Sequence, residues 1–515
     1  MKQTHVSLYR VAIIYMSLLI TIDAQSKKPI FRQIIEQITE MVDSDAIKPG
    51  WRLPSTRSMA EKLEVNRSTV YRAYEELWSL GYLESRPGSY TTVRRRTKII
   101  STQNQPARSL IKWPDRITAG VKAIHSAHLR DEALVNKAST PDIINFIPLS
   151  PDSRLLPIDA FRKCLNEVLV TEGGELLQYG SPAGYGPLRK FISERMREHS
   201  ISITPDEIMI TSGAQNAFEL LLRLLAEPGS KVAVEAPTYS RAIDILCLRN
   251  VEVIEIPMRS EGMNLNILEN LVKRQPPVLI YTIPNFQNPT GITTDQSHRE
   301  RLIGICERYA IPLVEDGFEE EMKYFGKAVL PIKSMDYGKV VIYIGTFSKI
   351  LFPGLRIGWI AAAKECIDHL IPLQRTSIIS GNILDQAALC RFCKSGHYDL
   401  HIKRMHSVYR KRMQKALKAM QTYFNQDHID WTVPTGGYTI WIRLRGKSAG
   451  EDGIIKQFID HKVAVLPGSS YFYGASDGMF FRISIAHLDE ETIEEGIRRL
   501  GMGLNEIYKR QNKRR

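Results

Sequence analysis

Polar residues collect where the β-rich runs of this 515-residue sequence end. Asn288, in PNFQNPTG, follows VLIYTI (278–283); IPLVED (311–316) ends on Asp316; VVIYIG (340–345) runs into Thr346, Ser348 and Lys349; and Arg356 opens RIGWIAA (356–362). Ligands of open α/β sheets sit beyond the carboxyl ends of the strands, so an amide, a carboxylate, two hydroxyls, a lysine and an arginine would share one rim. Upstream, EIMITSGAQNAFELLLRLL reads as strand, glycine turn and amphipathic helix. The N–H groups of Gly213, Ala214 and Gln215 would open that helix and seat a phosphate. A lysine for a Schiff base, an acid to keep a pyridine nitrogen protonated and donors for a phosphate are what pyridoxal 5'-phosphate requires.

From about Ile143 onward strand-like runs alternate with helical stretches, which predicts an α/β domain over 143–515 with a mostly parallel sheet. A different pattern precedes it. Between residues 29 and 93, Phe31, Ile34, Ile35, Ile38, Met41 and Val42 recur at helical spacing, and Pro49-Gly50 ends that element. A short helix with Met59, Ala60 and Leu63 inward, a Glu64-Val65 turn and an N-cap at Asn66 follow. In the third helix Val70, Ala73, Tyr74 and Leu77 face inward, leaving Arg67, Ser68, Thr69, Tyr71 and Arg72 outward on its first turns. That is where a recognition helix meets bases and phosphates. GYLESRPG then reads as strand, turn and basic tip, a wing.

Lys plus Arg number 69 against 56 Asp plus Glu, an excess of 13 that permits an anionic partner. Residues 94–142 read as a polar, basic linker with helical content around 116–136, and its 94–112 stretch has six cations (Arg94, Arg95, Arg96, Lys98, Arg108 and Lys112) and no acid. The tail adds Lys509, Arg510, Lys513, Arg514 and Arg515. Six scattered cysteines point to a reducing, cytoplasmic compartment, and Cys390 and Cys393 read as ordinary helix residues with no metal. Within the lead-in segment 1–28, VAIIYMSLLITI (11–22) is shorter than a membrane span and reads as a strand or helix; a secreted enzyme is the reading it would otherwise support.

KPIFRQI, KPGWRLPSTRSMAEKL, VNRSTVYRAYEEL and GYLESRPGS resemble, in order and spacing, the winged helix-turn-helix of GntR-type bacterial regulators. The resemblance implies DNA contacts for Arg52, Arg57, Arg67 and Arg72; its wing usually ends G-T-F-V, where this sequence has Tyr90-Thr91-Thr92-Val93. Residues 143 to about 508 resemble class I and II aminotransferases of fold type I, which have a large sheet domain and a smaller C-terminal α+β subdomain. That resemblance implies that Lys349 forms the Schiff base, Asp316 pairs with the pyridinium and Asn288 donates to the ring oxygen. It implies that Tyr239, in EAPTYS, stacks on the ring and that Gly213, Ala214, Gln215, Thr346, Ser348 and Arg356 cradle the phosphate. Tyr179, in YGSPAGYGPLR, would reach a phosphate in a neighbouring subunit, and Arg482, in FRISIA, would grip a substrate carboxylate.

Two positions depart from the aminotransferase pattern. Phe318 stands where a tyrosine normally bonds the same ring oxygen as the asparagine, and Leu149 where a glycine is common near the substrate carboxylate. The two-part arrangement resembles the MocR subfamily. It implies a homodimeric, pyridoxal-phosphate-binding regulator of promoter DNA that senses an amino compound or the cofactor itself. The alternative is a working aminotransferase with an accessory DNA-binding domain.

Overall fold

Pro29 and the apolar stripe behind it start the first helix of a computed structural model that describes residues 18–85, 90–95, 109–446 and 450–512, with side chains to 508. The chain divides into two compact units, Met1–Lys112 and Trp113–Arg515. The first contains α1 (Ile30–Asp43), α2 (Thr56–Leu63), α3 (Arg67–Ser79) and an antiparallel pair, β1 (Leu83–Ser85) and β2 (Thr91–Val93). Ile34, Ile38, Val70, Ala73 and Leu77 are fully excluded from solvent, and Met59, Tyr74, Leu83 and Val93 complete the core. Caps fix the helix starts. Ser55 Oγ accepts the Ser58 N–H, and Asn66 Oδ1 accepts the Ser68 N–H at 3.0 Å. Glu64, in the left-handed region at φ 53°, ends α2 and turns the chain into α3.

Where the sequence suggests a lead-in strand or helix, residues 18–22 form neither. Instead Ile20 is buried in the first unit's core and the Thr21 N–H donates to Gln37. Residues 11–17, the wing tip at 86–89 and the linker cations Arg96, Lys98 and Arg108 lie outside the described residues, as do the tail side chains from 509.

The second unit is built on an eight-stranded mixed sheet. Its order is Ile208–Thr211, Gly358–Ala361, Val341–Thr346, Leu313–Asp316, Leu279–Thr282, Lys231–Ala236, Glu252–Arg259, Gly262–Met263. The five strands from Val341–Thr346 to Glu252–Arg259 are mutually parallel, and Gly358–Ala361 runs antiparallel to both its neighbours. The central strands are buried throughout, as expected where both faces are covered. Because one strand is reversed, its leading residues, Arg356 included, start at the same rim where the parallel strands end. A four-stranded antiparallel sheet, Ile429–Trp431, Thr439–Leu444, Met479–Ser484 and Leu466–Pro467, forms a smaller subdomain with the helices His397–Tyr423 and Glu490–Asn512. Of residues 116–136, expected as partly helical linker, 119–136 belong to a 20-residue helix, Ala119–Ala138, within this unit. It packs on the helix Ser240–Arg249: Gly120 lies so close that a Cβ there would stand 3.1 Å from the Cys247 carbonyl, and Arg241 pairs with Asp131 at 3.5 Å.

Candidate functional site

At the rim of the large sheet, Ala214, Gln215, Tyr239, Asn288, Asp316, Thr346, Ser348, Lys349 and Arg356 line one cavity, together with Ile283, Phe318 and Pro353. They arrive from several strand ends. Asp316 is the last residue of its strand, Lys349 follows Val341–Thr346 by three residues, and Tyr239 caps the helix Ser240–Arg249 just beyond Lys231–Ala236.

The helix Ala214–Leu225 points its N-terminus into this cavity. Its N-cap is Gly213 at φ 88°, with no side chain among the described residues bonded to the first-turn N–H groups, so these donors and the positive end of the helix are available to an anion. Its backbone conformation, at φ 88°, favours glycine at 213, and Arg356 Nη2, which donates to the Ser212 carbonyl at 3.3 Å, lies 2.8 Å from where a Cβ would stand. Ser348 Oγ is buried with no hydrogen-bond partner among the described residues, while its N–H donates to Thr346 Oγ1 at 3.1 Å. Helix terminus, guanidinium and unpaired hydroxyl suit a phosphate.

On the far side, Asp316 Oδ2 accepts the Tyr281 hydroxyl at 2.7 Å, and Oδ1 is buried and unpartnered among the described residues. Burial raises this carboxyl to about 6, against the opposing pull of the Tyr281 hydrogen bond and Lys349. A cationic ring nitrogen would satisfy Oδ1 and restore the ionised form. The residues present therefore fit pyridoxal phosphate. Burial lowers the Lys349 amine; the charges of Glu319 and Asp316 oppose this, and those of Arg482 and Arg356 add to it. Its Nζ donates to the Leu149 carbonyl at 3.3 Å, which is what the chain places at the departure noted there.

Arg482 lies in the smaller subdomain's sheet, 4 % exposed, donating to Asn288 Oδ1 at 3.4 Å and to the Ile147 carbonyl, with Nε unpaired among the described residues. Tyr179 is not among the residues brought together: it is 82 % exposed on its own chain.

Sequence reasoning missed Tyr281, which orients Asp316, and Tyr438, whose hydroxyl donates to the Lys349 carbonyl at 2.9 Å. It also missed Glu319, completely buried beside Lys349 and Arg482. The alternation of VLIYTI could have marked Tyr281. For Glu319 no sequence signal existed, because an acidic run normally reads as a solvated surface.

In the first unit Arg52, Arg57, Asn66, Arg67, Ser68, Tyr71 and Arg72 are exposed and Thr69 is half-buried. Their side chains are not equally disengaged. The Arg72 guanidinium lies 3.9 Å from the Phe31 ring centroid and that of Arg52 4.4 Å from Tyr90, while Arg57 pairs with Glu61 at 3.2 Å. Arg52 also bridges Thr92, tying the start of α2 to the wing strand.

A fold type I sheet with a phosphate-ready helix terminus, a buried aspartate and a rim lysine defines the class of pyridoxal-phosphate-binding proteins. Residues 148–500 match the model of "Aminotransferase class I and II", and residues 31–93 that of "Bacterial regulatory proteins, gntR family". The chain belongs to the aminotransferase class I and II family, joined here to a GntR-type winged helix as in MocR-type regulators. It is 29 % identical over 486 residues to the probable rhizopine catabolism regulatory protein MocR of Rhizobium meliloti, covering 94 % of this chain and 95 % of that one. It is 35 % identical to aromatic-amino-acid aminotransferase 1 of Thermococcus litoralis, over 73 % of this chain and 91 % of the relative. Among solved structures, the α-aminoadipate aminotransferase LysN of Thermus thermophilus, complexed with N-(5'-phosphopyridoxyl)-L-leucine, superposes with a TM-score of 0.71 at 29 % identity, covering 77 % and 99 % of the two chains. The cofactor of this family is pyridoxal phosphate, and DNA binding follows from the GntR domain.

Proposed function

We propose that this protein is a cytoplasmic, homodimeric transcription regulator that binds promoter DNA through α3 and the wing and senses an amino compound at the Lys349 site. The convergence of nine expected cofactor residues on one cavity, with Phe318 facing the same space, is the observation that supports it. When bound, pyridoxal phosphate supplies an aldehyde carbon for amines and a ring that draws electrons from it. This chain's residues do the rest. The Ala214 helix terminus, Ser348 and Arg356 hold the phosphate; Asp316, oriented by Tyr281, holds the ring nitrogen's proton; Tyr239 covers the ring face; and Lys349 provides the covalent anchor. Asn288 hydrogen-bonds the ring oxygen, and Arg482 exchanges its carbonyl partner at Ile147 for an effector carboxylate, a charge-assisted pair. Tyr179, with the exposed Val170 and Leu177, suits a face covered by a second copy, from which it would reach the partner's phosphate.

Regulation requires that the effector bind two arrangements of the dimer unequally. The test is anisotropy binding to DNA flanking the gene, with and without cofactor and a panel of amino acids and amines. A ligand-dependent change in affinity, absent in Lys349→Ala, is expected. If Lys349→Ala responds like the wild type, Lys349 is not the sensing residue. If the wild type binds no DNA yet transaminates briskly, the aminotransferase reading replaces this one.

A further inference from the structure

Gln287 stands beside Asn288 in the loop that follows Leu279–Thr282, is completely buried, and uses every hydrogen-bonding position of its amide. Nε2 donates to the Pro237 carbonyl at 2.7 Å and to Glu235 Oε2 at 3.1 Å; Oε1 accepts the Thr290 N–H at 2.9 Å and the Thr290 hydroxyl at 2.7 Å. Glu235, also buried, is itself anchored, because its Oε1 accepts the Thr282 hydroxyl at 2.5 Å and the Ile283 N–H at 3.2 Å. The Gln287 backbone closes the loop, its N–H donating to the Ile292 carbonyl at 2.9 Å and its carbonyl accepting the Gly291 N–H at 2.6 Å. Arg299 holds the loop's two feet, the Pro284 carbonyl at 3.1 Å and the Thr294 hydroxyl at 2.9 Å. Gln287 holds its tip. Pro237 lies two residues before Tyr239, so one buried amide joins the two segments that bring Tyr239 and Asn288 to the cavity.

We propose that Gln287 is a positioning residue for the cofactor: by bracing the Asn288 loop against the segment that carries Tyr239, it fixes the Asn288 amide where a hydrogen bond to the ring oxygen can form. The inference rests on the reading of Asn288 as the donor to that oxygen. Placement of that one amide matters here because Phe318, lining the same cavity, has no hydroxyl to share the task. Asn288 Oδ1 accepts from Arg482 at 3.4 Å, which turns the amide nitrogen away from the guanidinium. A contact of that length is weak, so the amide's position depends on the backbone that carries it. Displacing the loop would leave the buried Gln287 amide unpaired, a cost that keeps the tip in place.

The test uses the full-length protein loaded with pyridoxal phosphate and reads the proton that the Lys349 nitrogen and the ring oxygen share, through the pH midpoint of the cofactor's visible absorbance. A donor at the ring oxygen competes for it, so losing the donor tightens the hold on the proton and raises the midpoint. Asn288→Ala is expected to raise it by about one pH unit, and Gln287→Met, close in volume but without the amide, by about half as much. Adding Gln287→Met to Asn288→Ala should raise it no further, since Gln287 acts through Asn288. The charged groups facing the Lys349 nitrogen, Glu319, Asp316, Arg482 and Arg356, are unchanged throughout. A role confined to stability would lower the Tm and leave the midpoint where it was. Thr290→Val, which removes one bond to Gln287 Oε1, gives a smaller rise and serves alone if Gln287→Met does not fold. Wild-type midpoints in whichever of these two folds, beside a shifted Asn288→Ala, overturn the proposal and leave the Asn288 assignment standing; so does a further rise in the double variant. An unshifted Asn288→Ala overturns that assignment, and the proposal with it.

Discussion

Phe318 lines the cavity with a ring that offers no donor to the cofactor oxygen Asn288 would bond. A hydrogen bond to a charged oxygen contributes roughly 1.5–3 kcal/mol, so restoring a hydroxyl there should speed any step that builds charge on that oxygen by about tenfold to a hundredfold. Phe318→Tyr is expected to raise the transamination half-reaction and to leave cofactor occupancy unchanged, since phosphate contacts and the Lys349 anchor dominate binding. Half-reaction rates and cofactor titrations measure the two separately. A wild type already fast, and unaltered by the substitution, would show that the missing hydroxyl does not restrain chemistry.

At the scale of the element, α3 presents its cations unevenly. Arg67 leaves the first turn, just after the Asn66 cap, and forms none of the ring stacks or ion pairs that engage its neighbours among the described residues. Arg72 is spread over Phe31 of α1, a contact worth about 0.5–1 kcal/mol at an exposed site. Reaching a base would cost Arg72 that contact. We therefore expect Arg67→Ala to lose about 1–3 kcal/mol of specific DNA affinity and Arg72→Ala clearly less, with part of its loss in the unit's thermal stability. Affinities for the operator and for random DNA of equal length distinguish these: equal loss on both for Arg67→Ala marks it as a phosphate contact.

Across the whole molecule, the second unit buries carboxyls, and among the described residues the first unit buries none. Burial raises Glu235 and Glu320 to about 7, even though Thr282, Gln287 and Asn285 donate to them. Between the unfolded value near 4.5 and the folded value near 7, the unfolded chain has released protons that the native chain retains. Raising the pH through that window therefore favours unfolding, and the loss is complete above about 7. The opposite sign belongs to Glu495, held at about 2 by Arg498 and Arg499, whose contribution is present above the unfolded value and fades only as the pH falls toward the folded value. Calorimetry of the cofactor-free protein at moderate salt should give a higher Tm near pH 5 than near pH 8, by a few degrees. A Tm that rises over this interval would contradict these burials.

The sequence by itself determined the elements and the chemical inventory of the rim. Strand runs that end on Asp316, on Asn288's loop and on Thr346 dictate which side chains share an edge, because a parallel sheet puts all its strand ends together. The glycine at 213 and the cap at Asn66 are equally local, each fixed by backbone within a few residues. What depended on long-range packing was not legible. Glu319-Glu320-Glu321 reads as one solvated acidic face, yet the fold places the first beside Lys349, gives Asn285 to the second and Arg195 to the third. Arg482 meets Asn288 across 194 residues, and Lys349 meets the Leu149 carbonyl across 200. Composition cannot reveal whether a carboxylate is solvated or enclosed, since that depends on which distant surface closes over it; here the Gly436-Gly437 turn of the smaller subdomain does so, and only the tertiary structure brings it there.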